Sequence, residues 1–108
     1  MRFRRCAAAD TDAPDQLLTG WGRTAPTRAR VLRPTSPAAA GAALSEGSER
    51  GVIPRGLGRS YGDAAQNAGG TVISTQALPD RCELDLQTGR AWVTAGTSLG
   101  RVLSLTHI

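Results

Sequence analysis

Lysine is missing from this chain: all 13 basic residues are arginine. A Walker-type phosphate loop needs a lysine to reach the outer phosphates, so that motif is excluded, as is any mechanism through a lysine Schiff base. His107 is the one histidine, and the two cysteines, Cys6 and Cys82, stand far apart in sequence. That set builds no metal cluster, so no metal ligand is assigned, and both cysteines are expected to stay reduced. Aromatic residues make up only 4% of the chain, so a core has to come mainly from Val, Leu, Ile and Ala. No apolar run is long enough to span a bilayer. Met1-Arg2-Phe3-Arg4-Arg5 begins like an export signal, but Asp10 arrives before an apolar stretch of useful length.

Acidic residues are the scarcer charge, 9 against 13, for a net charge of +4. The arginines run from Arg2 to Arg101 without gathering on one helix face, and no zinc-finger spacing or RNA-recognition aromatic motif accompanies them. Weak attraction to polyanions at low salt is expected, whereas a specific nucleic-acid partner is not.

What is present is concentrated in Arg55-Gly56-Leu57-Gly58-Arg59-Ser60-Tyr61-Gly62-Asp63. Gly56, Gly58 and Gly62 can take positive φ, which lets successive backbone N–H groups turn inward around an anion. Arg55 and Arg59 add charge in the planar fork that suits phosphate, and Tyr61 offers a ring for packing. A plain surface turn is the bland alternative; two close glycines, a third glycine and flanking arginines together favour a phosphate-bearing cofactor.

Two sharper motifs compete for these residues. In a dinucleotide fingerprint the third glycine would fall at Tyr61, and a helix would have to follow where Ala64-Ala65-Gln66-Asn67-Ala68-Gly69-Gly70 reads as loop. Gly58-Arg59-Ser60-Tyr61-Gly62 also fits the hydrolase elbow Gly-x-Ser-x-Gly, with Asp85 and His107 following in triad order. The elbow needs a helix directly after the serine, so the hydrolase reading is disfavoured.

The loop resembles the FAD-linked oxidases of the vanillyl-alcohol-oxidase type, which carry a PCMH-type FAD-binding domain. Leu18-Thr19-Gly20-Trp21-Gly22-Arg23-Thr24-Ala25-Pro26 upstream and Ala64-Ala65-Gln66-Asn67 downstream share in that resemblance, which runs from about Leu17 onward. It implies that Pro54, Arg55, Gly56, Leu57, Gly58, Arg59, Ser60, Tyr61, Gly62, Asp63 and Ala64 contact FAD, chiefly its diphosphate. Ala64 departs from close relatives, which can carry a polar residue there. The upstream block favours members that oxidise the 2′-hydroxyl of a polyprenylphosphoryl ribose for cell-wall arabinan, with a reductase completing an epimerisation. An aldonolactone or alditol oxidase of the same superfamily, or a non-enzymatic polyanion-binding remnant, is the alternative.

The family's second flavin-binding segment and its substrate domain are expected beyond Ile108. The chain therefore reads as the N-terminal portion of an FAD-binding domain, not catalytically competent alone and only marginally stable, with no catalytic residue assigned. Its expected location is cytoplasmic, with cell-envelope association open.

The fold class is α+β, with residues 1–16 as a mobile arm and residues 17–108 as the partial domain. Ala29 to Arg33 reads as extended, and Ser36 caps a helix with Pro37 at its first position. Gly51-Val52-Ile53-Pro54 and Thr71-Val72-Ile73-Ser74 read as strands on either side of the loop. Leu84 to Leu86 and Ala91 to Ala95 form a hairpin turning at Gly89, with Asp85 on its solvent face and Trp92 as packing surface. Thr97 caps a last helix over Ser98 to Leu105, whose Leu99, Val102 and Leu103 form one apolar face.

Overall fold

The structure is a computed structural model that describes residues 15–106. The arm expected over residues 1–16 lies outside the described residues except for Asp15 and Gln16, which open the first strand. Cys6 and His107 also lie outside them.

Four strands make the main sheet: β1 (Asp15–Leu18), β2 (Thr27–Leu32), β3 (Val52–Arg55) and β4 (Thr71–Ser74), in the order β1-β2-β4-β3. β1 runs antiparallel to β2, whereas β2, β4 and β3 are mutually parallel. β4 is central, and all four of its residues are buried. Its β-branched run Thr71-Val72-Ile73 suits a strand covered on both faces. Pro54 has no N–H to give a ladder and is tolerated because β3 is an edge strand.

The pleat divides the core in two. Ala29, Val31 and Val72 pack with Leu18 and Ile53 on one face, and Leu32, Ile73 and Ala43 pack with Val52 on the other. Ala43 comes from α1 (Pro37–Leu44), which covers the second face. Ser36 caps this helix as expected: its side chain accepts from the Ala39 N–H at 3.1 Å, with Pro37 in the first turn. Parallel strands cannot be joined by a tight hairpin, so β3 reaches β4 through the long connection 56–70, the cofactor-like loop.

The antiparallel pair β5 (Cys82–Asp85) and β6 (Arg90–Val93) turns at Gly89, whose φ is 68°, as the sequence suggested. Trp92 is 79% exposed among the described residues, so the packing role expected for it is not seen there. The final helix, α2, spans Leu99–Thr106. Its cap is Ser98 rather than Thr97: the Ser98 hydroxyl accepts from the Arg101 N–H at 3.1 Å. The Thr97 hydroxyl turns instead toward Asp80, which also holds the Arg101 guanidinium at 2.8 Å and so ties α2 to the segment before β5. No helix among the described residues is long and apolar enough to cross a membrane.

Asp85 closes the hairpin. Its carboxylate accepts from the Thr88 hydroxyl at 2.7 Å and from the Gln87 N–H at 2.9 Å. These bonds favour the ionised form and hold its pKa below the ordinary 3.8. Because the folded pKa lies below the unfolded one, the contribution to the turn is present above 3.8 and lost as pH falls through the lowered value. The amide resonances of Gln87 and Thr88 should therefore titrate with a midpoint below 3.8, and a midpoint at or above that value would contradict the turn's assigned chemistry.

Candidate functional site

The loop and the β1–β2 connection hold each other through the backbone. Trp21 N–H donates to Ser60 O at 2.7 Å, and Gly22 N–H donates to Tyr61 O at 3.2 Å. This approach leaves no room for a side chain at Gly20 or Gly22. A Cβ at Gly20 would lie 2.6 Å from Ser60 O and would also collide with Gly62 O, and one at Gly22 would lie 2.9 Å from Tyr61 O. The glycines of the upstream block are thus required by contact with the loop.

The loop's own glycines follow a different rule from the one the sequence suggested. Of Gly56, Gly58 and Gly62, only Gly58 takes positive φ, at 69°. A Cβ at Gly58 would also collide with the Arg55 guanidinium, whereas Gly56 and Gly62 face open space. Positive φ appears instead at Arg23, Ala25 and Asn67, residues for which that region is uncommon.

Five carbonyls of residues 56–65 are engaged. Besides Ser60 and Tyr61, Gly56 O accepts from Gln76 Nε2 at 2.8 Å, Asp63 O from the Gln66 N–H at 3.0 Å, and Ala65 O from Arg55 Nη1 at 3.0 Å. By contrast, no backbone N–H from Gly56 to Ala65 donates a hydrogen bond among the described residues. Most of these residues are exposed. A segment with half of its carbonyls engaged and none of its N–H groups donating keeps unpaired donors, which is the chemistry an anion such as a diphosphate requires.

The two arginines occupy different places. Arg55 lies along the loop and donates to Thr19 O at 2.7 Å as well as to Ala65 O, so its guanidinium braces the segment. Arg59 is exposed and stacks on the Trp21 ring at 4.4 Å, a cation–π contact that holds its charge beside the loop. Tyr61 and Leu57 are exposed, as are Ser60 and Asp63; Asp63 and Ala64 line an open pocket of about 300 Å³ with Thr27, Arg50 and Asn67. Pro54 belongs to β3 and delivers the chain into the loop. Asp85 is committed to the hairpin turn, and the expected third member of the triad order, His107, lies outside the described residues.

Gln66 and Asn67 belong to the stretch that shares the family resemblance and read as loop in the sequence, with no role assigned to either side chain. Gln66 is among the largest fully buried side chains, and its Nε2 reaches Leu18 O, Ala25 O and Thr27 Oγ1 at 2.9–3.1 Å. Asn67 Nδ2 donates to Thr71 O at 3.0 Å and Gly51 O at 3.2 Å, tying the loop's return to β4 and β3. The signal available was a pair of carboxamides beside a glycine pair, in a segment too polar to pack by itself.

The mixed sheet with two helices is consistent with the N-terminal part of an α+β cofactor-binding domain. The chain belongs to the FAD-binding domain family, whose model matches residues 28–107, and FAD is the cofactor of that family. It is also 49% identical over 89 residues to the decaprenylphosphoryl-β-D-ribose oxidase of Mycolicibacterium smegmatis, a match covering 80% of this chain and 19% of the relative. The chain thus spans about a fifth of the length of the curated relative it matches.

The glycine contacts separate two kinds of substitution. Gly20→Ala should destabilise the chain by about 1–3 kcal/mol through overpacking against backbone and should shift Trp21 fluorescence. Gly56→Ala should stay within about 0.5 kcal/mol of the unmodified chain in urea denaturation. Equal effects at the two positions would contradict the close approach.

Proposed function

We propose that this chain supplies the diphosphate-binding part of a flavin-dependent oxidoreductase that oxidises a sugar carbinol. The observation that carries it is the run of unpaired N–H groups over residues 56–65, set against pinned carbonyls in a member of the FAD-binding domain family. Residues 54–64 would contact the cofactor, with backbone donors at Gly56 to Asp63 meeting the diphosphate oxygens and Arg59 adding a charge-assisted bond. Arg55 would act from beneath, keeping the loop in shape while its positive charge adds to the local field.

Bound FAD would supply a hydride acceptor in its flavin ring, chemistry that no side chain can provide. The role of this segment is to hold and orient the cofactor's phosphate end, and no base is assigned to it. The substrate reading rests on the relative's name, decaprenylphosphoryl-β-D-ribose oxidase, and the family resemblance adds oxidation at the 2′-hydroxyl in making a cell-wall arabinan precursor. A separate reductase would then complete an epimerisation, at a cytoplasmic or envelope-associated site. Residues 17–108 would form one part of that enzyme's FAD-binding domain.

Titration with FAD, read by flavin fluorescence, tests the cofactor role, with riboflavin as the control that lacks the diphosphate. Saturable FAD binding with much weaker riboflavin binding is expected, and Arg59→Ala should weaken FAD about tenfold, the loss of one charge-assisted bond. Equal affinity for the two flavins, or no binding by a folded chain, would overturn the proposal.

A further inference from the structure

Gln66 is 1% exposed and stands at the junction between the loop and the β1–β2 connection. Its three acceptors lie at both ends of that connection: Leu18 closes β1, Thr27 opens β2, and Ala25 sits between them with a φ of 44°. The connection in turn holds Ser60 and Tyr61 through the N–H groups of Trp21 and Gly22. A closed circuit results. The carboxamide of Gln66 grips the connection from inside, and the connection grips the loop's carbonyls from outside.

The direction of the amide is set by its surroundings. Nε2 faces three oxygens, and turning the group over would bring Oε1 against two carbonyls. Oε1 itself is buried and has no hydrogen-bond partner among the described residues. A half-satisfied buried amide contributes less to stability than a fully paired one. Its presence here is accounted for by what the NH₂ group holds in place.

We propose that Gln66 is a positioning residue for the cofactor, clamping the β1–β2 connection so that the N–H groups of residues 56–63 stay turned outward. The inference rests on the reading of the loop as a diphosphate site. Gln66 acts through the connection and touches no cofactor atom.

The test uses Gln66→Glu. A protonated carboxyl can still donate one hydrogen bond to these carbonyls, whereas a carboxylate can donate none and is repelled by them. Burial raises the carboxyl's pKa, so the switch falls within an accessible pH range. Asp63 and Arg50 line the same pocket as Gln66, and Arg55 bonds to Ala65 next along the chain, so the unmodified chain serves as the control that carries those charges equally. FAD affinity of Q66E should fall about tenfold relative to that control between about pH 5 and about pH 8, while far-UV dichroism stays constant. An FAD affinity that tracks the control at every pH would overturn the proposal, as would a loss that merely follows the folded fraction.

A second measurement needs no substitution. Hydrogen exchange of the Trp21 and Gly22 amides and of the Gln66 side-chain NH₂ should slow by a common factor when FAD binds. FAD slowing the two backbone amides while leaving the Gln66 NH₂ unchanged would also overturn it. If the unmodified chain binds no FAD, the failure lies with the cofactor reading; if it binds FAD and either test gives the contrary result, the failure lies with Gln66.

Discussion

The hydrogen bonds between the β1–β2 connection and the loop decide which way the loop's peptide groups point. A peptide unit is planar and trans, so fixing a carbonyl toward the protein turns the following N–H away from it. Trp21 and Gly22 fix two carbonyls in this way, while Gln76 and Arg55 fix two more. The N–H groups of Leu57, Tyr61 and Gly62, which follow three of these carbonyls, are among those of residues 56–65 that make no hydrogen bond. The loop does not need a helix to present donors, because a second strand connection performs that task from behind.

This constraint reaches into the choice of residues around it. Gly20 and Gly22 have no side chain because the loop backbone occupies that space. Arg55 sits on the same sheet face as Ile53, which puts its guanidinium under the loop and within reach of Thr19 O. Gln66 replaces what would otherwise be an apolar plug, since three oxygens converge there and only a donor suits them. The parallel pairing of β3 with β4 matters equally, because it demands a long crossover connection and so creates the loop.

Much of the fold could be read from local chemistry. Ser36 with Pro37, the β-branched run of β4 and the Gly89 turn each carry a mechanism within a few residues, and each stands where its chemistry put it. β1 was missed because Asp15 and Gln16 are polar, and their pairing partner, Ala29-Arg30, is distant in sequence. The cap of α2 was placed one residue early because Thr97 and Ser98 are equivalent by type, and Asp80, far back in the chain, takes the former. At the site, the loop's glycines and arginines were plain, but their division of labour was not. A bracing Arg55 and a buried Gln66 both depend on contacts with residues 18–27, which no periodicity reveals.

The central claim is that the outward N–H groups of the loop receive the cofactor's diphosphate. Residue-resolved amide shifts of the isotopically labelled chain, titrated with FAD and then with ADP, test it most directly. The account predicts that both ligands move the amides of Gly56 to Asp63 most, by similar amounts, since they share the diphosphate. Shifts confined to other segments, with the 56–63 amides unmoved at saturation, would contradict it.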